Sequence, residues 1–265
     1  MSDSTADMRE RDIARSLHQS LEAGIARGPV RHELGESIGA AYRVQEHFIR
    51  AREGAGAMRV GRKVGLTSEA VQKQLGVDQP DFGVLLDVMD ATARAEIPFA
   101  DLVAPRIEAE LAFYIASDVS DPESVLSAVE FVSPALEIVD SRIAGWDISI
   151  IDTIADNASS AMFVLGDRIP LAEVDTRAVE MTMTKNGEVV STGDGTACLG
   201  DPRAAVLWVA RTAHSLGRPL RGGEVILSGA LGPMIPFERG CEVVATLSGV
   251  GSVFATAAAP AAQGE

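Results

Sequence analysis

The sequence lacks most of the features that mark secreted, membrane-bound or zinc-stabilised proteins. It has two cysteines among 265 residues, Cys198 and Cys241, and no paired-cysteine or Cys/His spacing typical of a zinc site. No apolar run approaches the roughly 20 residues of a membrane span. The N-terminus has no apolar signal core, so we expect a cytoplasmic location and no disulfide framework.

Positive charge is also scarce. The chain has 23 Lys and Arg against 38 Asp and Glu, which gives a formal net charge of −15. Binding to nucleic acid or to an anionic membrane is therefore disfavoured, because both need basic patches. The same charge repels anionic small molecules at long range, so an organic-acid substrate would need a local cation to hold it.

Three common nucleotide or acyl-transfer motifs are absent as well. The stretch STGDGTACLG, residues 191–200, contains glycines, but their spacing does not match G-x-G-x-x-G and no βαβ unit surrounds them. No P-loop and no G-x-S-x-G elbow occurs. A dinucleotide site is therefore not expected.

Apolar periodicity divides the chain into a helical beginning and a strand-rich remainder. Residues from about 7 to 26 and from about 36 to 53 carry apolar side chains at helical spacing. Further on, short apolar runs alternate with turn residues, and Asn186-Gly187 is typical of a two-residue hairpin. Two more helices are predicted at about 122–131 and 201–216.

These patterns predict an α+β fold. We expect a helical N-terminal region over residues 1–60, packed on a β-rich barrel- or roll-like body over residues 61–255. The last stretch, residues 256–265, is rich in alanine and is expected to be a disordered tail.

Two glutamates interrupt the apolar run RIEAELAFYI at residues 106–115. In a strand, side chains alternate between faces, so Glu108 and Glu110 point the same way, about 7 Å apart at a rise of roughly 3.3 Å per residue. Carboxylates at that spacing can converge on one hard divalent cation. A solvated strand face is the simpler interpretation of this segment taken alone.

A second apolar run, ALEIVDSR at residues 135–142, embeds Glu137 between Leu136 and Ile138. A buried carboxylate is costly unless it is paired, protonated or bound to a metal. A structural ion pair with the nearby Arg142 is the alternative to a metal site.

Three further segments carry candidate groups. Lys63 in GRKVGLTS can act as an acid, a base or an electrostatic clamp, or can be an ordinary surface lysine. Asp81 follows a proline in a turn-like context. Residues 152–160, DTIADNASS, form either a capping loop or a set of hydrogen-bonding groups for a substrate carboxylate.

In combination these segments resemble a known enzyme family. GRKVGLTS, QLGVDQPDFG, PRIEAELAF, PALEIVDSR, DTIADNAS, CLG and SGALGPM occur in this order over about residues 60–235. The set is similar to that of the bacterial 2-hydroxypenta-2,4-dienoate hydratases, in the hydratase/decarboxylase branch of the fumarylacetoacetate hydrolase superfamily. The resemblance covers nearly the whole chain apart from the termini.

The resemblance implies a role for each of seven residues and a divalent ion, Mg²⁺ or Mn²⁺. The implied metal ligands are Glu108, Glu110 and Glu137. The implied proton-transfer groups are Lys63 and Asp81, and the implied substrate-binding groups are Ser159 and Leu66. The implied reaction adds water to 2-hydroxypenta-2,4-dienoate to give 4-hydroxy-2-oxopentanoate, in meta-cleavage degradation of aromatic compounds. A ring-like homo-oligomer is also implied, with association with a pathway decarboxylase or aldolase as a further expectation.

Two alternatives stay open. A 2-oxo-3-hexenedioate (4-oxalocrotonate) decarboxylase would use the same metal chelate, although SGALGPM is more similar to the hydratases. A non-catalytic partner subunit would have no need of the intact acids and lysine. The length and distal group of the preferred dienoate are not indicated.

Overall fold

The computed structural model describes residues 2–68, 72–73, 77–100 and 102–259. The chain begins with three helices, α1 (Ser2–Ala23), α2 (Arg31–Leu34) and α3 (Ile38–Gly54). Helices α1 and α3 pack together through the predicted apolar stripes, which bury Leu17 and Phe48. Helix α1 ends before its predicted end near residue 26, because Gly24 adopts a left-handed φ of 61°.

A buried glutamine joins the helical region to the rest of the protein. The Gln45 side chain, on α3, donates hydrogen bonds to the carbonyl oxygens of Phe82 and Ile154 at 2.8 and 3.1 Å. Tyr42 stacks on the Phe82 ring with centroids 4.9 Å apart. The N-terminal helices are therefore packed against the segments that carry the candidate site.

Over the described residues, the named elements of the body are strands and two further α-helices. The helices are α4 (Ile150–Ala155) and α5 (Pro202–Ser215). The strands, in chain order, are β1 (Arg59–Gly65), β2 (Asp81–Leu86), β3 (Arg106–Ile115), β4 (Val129–Val139), β5 (Ser160–Leu165), β6 (Ile169–Pro170), β7 (Glu180–Lys185), β8 (Glu188–Asp194), β9 (Val225–Leu227), β10 (Ile235–Pro236), β11 (Glu242–Leu247) and β12 (Gly251–Thr256).

These strands form two sheets. The larger sheet has the order β2-β1-β9-β3-β4-β5, with β10 paired to β3 and β6 paired to β4. The smaller sheet has the order β12-β11-β7-β8, and β11 and β12 pack against β4. Strands β1 and β9 pair in parallel, whereas the other pairings within the sheets are antiparallel. The predicted α+β fold, with helices packed on a β-rich body, is confirmed.

Several local predictions can be compared with the structure. The hairpin at Asn186-Gly187 joins β7 to β8, with φ of 53° and 85° at the two turn residues. The helix predicted at about 122–131 is wrong: a 3-10 helix covers Pro122–Ala128, and Val129 begins β4. Residues from Val129 onward are rich in β-branched and aromatic side chains that pair with β3, so sheet pairing prevails over helix there.

The C-terminal boundary also differs. Strand β12 continues to Thr256, and Ala257 forms a bridge with Ile97, so ordered pairing extends past the predicted start of the tail. Residues 260–265 of that predicted tail lie outside the described residues. Cys198 and Cys241 are both buried free thiols. Within the described ranges, no helix has the length and apolar character needed to cross a membrane.

Candidate metal centre and active-site pocket

The register of β3 against β4 brings three carboxylates together. Glu108 lies directly opposite Glu137 in the antiparallel pair, and Glu110 follows two residues later on the same face. One oxygen from each of the three lies within 4.8 Å of the others. Glu110 and Glu137 are fully buried, so the solvated-face interpretation of RIEAELAFYI is wrong.

Lysine 63 provides the positive charge beside this cluster. It lies on β1, is buried, and its Nζ is 3.1 Å from Oε2 of Glu137. The same Nζ donates a hydrogen bond to the carbonyl oxygen of Ala158 at 3.1 Å. Burial alone would lower the pKa of Lys63, but the charges of Glu137 and Glu108 raise it above its ordinary value. The burial of Lys63 excludes the surface-lysine alternative.

The carboxylates carry more negative charge than Lys63 can neutralise. Burial raises the pKa of Glu137 to about 7, with the Glu108 charge acting in the same direction and Lys63 opposing it. Burial, followed by the charges of Glu137 and Glu108, raises the pKa of Glu110 well above its ordinary value. These shifts show that the fold holds acids close together at an electrostatic cost.

An unsatisfied oxygen shows what kind of group would fit. Oε1 of Glu110 is buried and has no hydrogen-bond partner among the described residues. Its other oxygen, Oε2, accepts a hydrogen bond from the backbone N–H of Gly229 at 2.7 Å. A buried carboxylate oxygen facing two more carboxylates fits a hard divalent cation, which prefers oxygen ligands. The residues present therefore fit a metal ion of the Mg²⁺ or Mn²⁺ type.

Asp81 lies in a strand rather than in the predicted turn. It is the first residue of β2, where it pairs with Gly65 and is buried. Its Oδ2 accepts a hydrogen bond from Thr153 at 3.1 Å. Burial raises the pKa of Asp81, and the Lys63 charge opposes that shift. A buried aspartate in such surroundings can keep a proton that a typical surface aspartate would lose.

A cavity of about 400 Å³ opens beside these groups. Five of the seven predicted site residues line it, namely Lys63, Leu66, Asp81, Glu108 and Ser159. Glu110 and Glu137 lie behind Glu108, fully buried. The structure thus brings all seven residues to one cavity or its wall. Arg106 and Trp146 also line it, and neither was predicted.

A left-handed turn positions the far wall of the cavity. Asn157, Ala158 and Ser159 have consecutive φ values of 55°, 52° and 53°. Left-handed backbone costs a non-glycine residue roughly 1–2 kcal/mol, so three in succession require compensating contacts. The turn directs the Ala158 carbonyl toward Lys63 and places Ser159 at the cavity, where its buried Oγ has no hydrogen-bond partner among the described residues.

The Asn157 side chain supplies part of that compensation. Its Nδ2 donates to the carbonyl oxygen of Val84 at 2.9 Å, and its Oδ1 accepts from the N–H of Val84 at 2.8 Å. The side chain thus pairs with β2 as a neighbouring strand would. The sequence predicts no individual role for Asn157, because this long-range pairing leaves no local signal.

The two aspartates within residues 152–160 form hydrogen bonds with other parts of the protein rather than face the cavity. Asp156 accepts hydrogen bonds from both the backbone N–H and the side chain of Arg142. Burial raises the pKa of Asp156 to about 6, and Arg142 opposes that shift. Asp152 accepts from the backbone N–H groups of Val30 and Arg31 at 2.7 and 2.9 Å. The proposed alternative of an Arg142–Glu137 pair is therefore wrong.

The SGALGPM segment contributes to both parts of the site. Gly229 has a φ of 100° and packs so close to Thr67 that a Cβ would lie 2.4 Å from its Oγ1. That conformation lets its N–H reach Glu110. Ala230 and Met234 line the cavity. The segment therefore contacts the carboxylate cluster and also lines the cavity.

The chain matches a known protein family over most of its length. Residues 62–257 match the family model described as fumarylacetoacetate (FAA) hydrolase C-terminal. The chain belongs to the fumarylacetoacetate hydrolase family, as the motif order predicted.

Within that family, the similar curated proteins are hydratases. A TodF product hydratase from Pseudomonas putida F1 is 48% identical over 92% of this chain and 94% of its own length. A 2-keto-4-pentenoate hydratase from Paraburkholderia xenovorans LB400 is 46% identical over 94% of both chains. Among solved structures, 4-oxalocrotonate decarboxylase from Pseudomonas putida G7, complexed with magnesium and adipate, is 32% identical with a TM-score of 0.89, covering 94% of this chain and 97% of that one.

The pair of hydrogen bonds between the Asn157 side chain and Val84, called the Asn157 clamp below, predicts a specific loss of stability on substitution. Asn157→Ala removes both bonds to Val84 and the residue type that tolerates a left-handed φ, so we expect the free energy of unfolding to fall by roughly 2–4 kcal/mol. Asn186→Ala is the matched control, because Asn186 is also left-handed but lies in an exposed hairpin, where its Oδ1 accepts one hydrogen bond from the N–H of Glu242. Urea unfolding of both variants measures the difference, and equal losses would contradict the clamp.

Proposed function

We propose that this chain is a divalent-metal-dependent hydratase that converts 2-hydroxypenta-2,4-dienoate into 4-hydroxy-2-oxopentanoate. The observation that carries the proposal is the meeting of three buried or half-buried carboxylates with the Lys63 ammonium at one cavity. Identity of 46–48% to hydratases over more than nine-tenths of the chain supports the reaction type.

Glu108, Glu110 and Glu137 would hold the divalent ion, and we propose that this ion is Mg²⁺ or Mn²⁺. Carboxylate ligands favour such hard cations, and the similar decarboxylase was solved with magnesium. When bound, the ion supplies a Lewis acid that polarises the substrate's 2-oxygen and attracts its carboxylate. Three carboxylates and one ammonium sum to −2, which a divalent cation neutralises, so an anionic substrate can approach despite the net charge of −15.

Lys63 and Asp81 are proposed to handle the protons. Ketonisation removes the proton from the 2-hydroxyl and adds one at C5; hydration then joins the water oxygen to C4 and adds a proton at C3. Lys63 stays charged next to Glu137 and can stabilise negative charge that develops on the substrate. Asp81 has a raised pKa and lines the same cavity, so it can give and accept a proton there.

Ser159 and Leu66 are proposed to position the substrate. The unpartnered Oγ of Ser159 can donate a hydrogen bond to the substrate carboxylate. Leu66 lines the cavity from a left-handed backbone conformation, with a φ of 56°, and offers an apolar contact to the hydrocarbon chain. Together they would hold the dienoate between the carboxylate cluster and the rim.

One observation favours a second candidate reaction, the decarboxylation of 2-oxo-3-hexenedioate. Arg106 lines the cavity, stacks 4.5 Å from the Trp146 ring centroid, and forms no ion pair among the described residues. Because strand side chains alternate, Arg106 shares the face of Glu108. It could therefore hold a second substrate carboxylate. The higher identity to hydratases than to the decarboxylase keeps hydration as the first proposal.

The reaction itself can be tested directly. On addition of 2-hydroxypenta-2,4-dienoate with Mg²⁺, we expect loss of the conjugated-dienol absorbance and formation of 4-hydroxy-2-oxopentanoate. Excess EDTA should stop the reaction, and added Mg²⁺ should restore it. Mass spectrometry identifies the product. Release of CO₂ from 2-oxo-3-hexenedioate without hydration of the monocarboxylate would instead favour the second candidate.

Metal binding should appear as stabilisation of the protein. At a metal concentration about 100-fold above Kd, the free energy of unfolding should rise by about 2.7 kcal/mol. We expect Glu108→Gln to lose most of this gain, since it removes a ligand from the least buried position of the cluster. Glu130→Gln, on the exposed side of β4, is the control. Thermal unfolding with and without Mg²⁺ gives the answer; an undiminished gain in Glu108→Gln would refute the ligand assignment.

Substitution of Lys63 should impair catalysis without weakening metal binding. Lys63→Met removes the ammonium, so we expect kcat to fall by about 100-fold or more. Affinity for Mg²⁺ should be unchanged or tighter, because a positive charge next to the carboxylates is lost. Lys185→Met, outside the cavity, should retain both properties. Steady-state kinetics and calorimetric titration measure the two effects. A Lys63→Met enzyme with wild-type kcat would exclude the proposed role.

Arg106 should affect dicarboxylates selectively. If it contacts a distal carboxylate, Arg106→Gln should weaken inhibition by adipate about tenfold, the loss expected for one charge-assisted contact. The kcat for the monocarboxylate dienoate should change much less. Arg168→Gln is a matched control, because Arg168 also lies over an aromatic ring, that of Tyr114 at 3.9 Å, outside the cavity. Equal adipate inhibition in both variants would rule out this contact.

A further inference from the structure

A second cavity of about 440 Å³ lies between the N-terminal helices and β5. His18 and Leu21 of α1, Arg52 of α3 and Met162 of β5 line it, together with Arg94 from the loop that follows β2. Among the described residues it shares no lining residue with the active-site pocket. None of the roles proposed for the hydratase reaction uses it.

Arg52 is the unusual group in this cavity. It is partly buried, and it forms no ion pair or side-chain hydrogen bond with the described residues. Burial and the neighbouring charge of Arg142 lower its pKa to about 10, and only a weaker effect of Asp87 opposes them. An uncompensated guanidinium in a chain of net charge −15 is unexpected, because acidic side chains are abundant.

Two more groups converge on the same space. Arg94, which is exposed, also lines the cavity and forms no ion pair among the described residues. Nδ1 of His18 is buried without a hydrogen-bond partner, while its Nε2 lies 3.5 Å from Glu22 at the rim. An imidazole with Nδ1–H facing the cavity can donate to an anion. Glu22 is largely exposed and is the single acid that lines the cavity among the described residues.

The remaining lining is apolar apart from Ser160. Leu21, Val88, Pro98, Leu102 and Met162 line the cavity together with the two arginines. Guanidinium groups bind planar oxyanions through paired hydrogen bonds. An apolar wall beside such groups fits an anion that carries a hydrocarbon body rather than a bare inorganic ion.

We propose that this cavity binds a small carboxylate with an apolar body, whose anionic end Arg52 and Arg94 hold and whose body packs on Leu21 and Met162. The same carboxylate chemistry could come from a free small molecule or from the chain's own Asp101, which adjoins Leu102 in the sequence. The proposal is for the free molecule. It does not depend on the hydratase assignment, since the two cavities have separate linings.

Calorimetric titration of benzoate into the full-length, Mg²⁺-loaded protein tests the proposal. Arg52→Gln should weaken benzoate binding about tenfold or more, as expected for loss of a charge-assisted contact. Arg50→Gln is the matched control: Arg50 is on the same helix but pairs with Glu46 outside the cavity. Benzoate held only in the active site would bind all three proteins equally, which would overturn the proposal.

Three further measurements complete the design. Arg94→Gln should weaken benzoate binding about threefold and serves if Arg52→Gln does not fold. Inorganic phosphate should bind more weakly than benzoate, and tighter phosphate binding would overturn the carboxylate assignment. Asp101→Asn should leave benzoate binding unchanged or strengthen it. Binding seen only in Asp101→Asn would show that the chain neutralises its own cavity, which also overturns the proposal.

Discussion

Mutual repulsion between Glu108, Glu110 and Glu137 is the constraint to which the rest of the structure responds. Directly opposed like charges weaken a strand pair, and burial adds several kilocalories per mole for each unpaired ion. The pairing of β3 with β4 persists because both strands are embedded in a wide sheet and the other face of β3 is fully apolar. Lys63 offsets part of the charge, and the remainder is what makes the cluster fit a divalent cation.

A second energetic cost is the left-handed backbone of the turn at residues 157–159. This turn serves the same cluster of carboxylates and lysine. Three left-handed residues are stabilised by contacts made elsewhere: Asn157 pairs with Val84, and Arg142 binds Asp156 and the carbonyl oxygen of Ser160. In this conformation, the carbonyl oxygen of Ala158 accepts a hydrogen bond from the Lys63 ammonium. Strain of this kind is found where a rigid surrounding structure sets the position of functional groups. The lysine is therefore positioned by two elements, β4 and the turn.

The sequence could predict the local features and not the long-range ones. Alternation along RIEAELAFYI correctly placed Glu108 and Glu110 on one face, since the period of a strand is a property of the backbone. That Glu137 lies opposite Glu108 depends on register, which is set by packing over the whole sheet. The clamp of Asn157 on Val84 spans 73 positions and has no local pattern. Sequence motifs therefore predicted a set of residues that lie together at one cavity, and only the fold shows how they are held.

Charge explains why two cavities lined by arginine or lysine matter in this acidic protein. At long range the net charge of −15 repels every organic anion, so binding depends on short-range groups that are poorly screened by solvent. In the active-site pocket, Lys63, Arg106 and a bound cation would provide that attraction, while in the second cavity Arg52 and Arg94 would do so. Arginines without acidic partners among the described residues are the groups available to bind such anions. The distribution of unpaired cations, rather than the total charge, thus determines where an acid can bind.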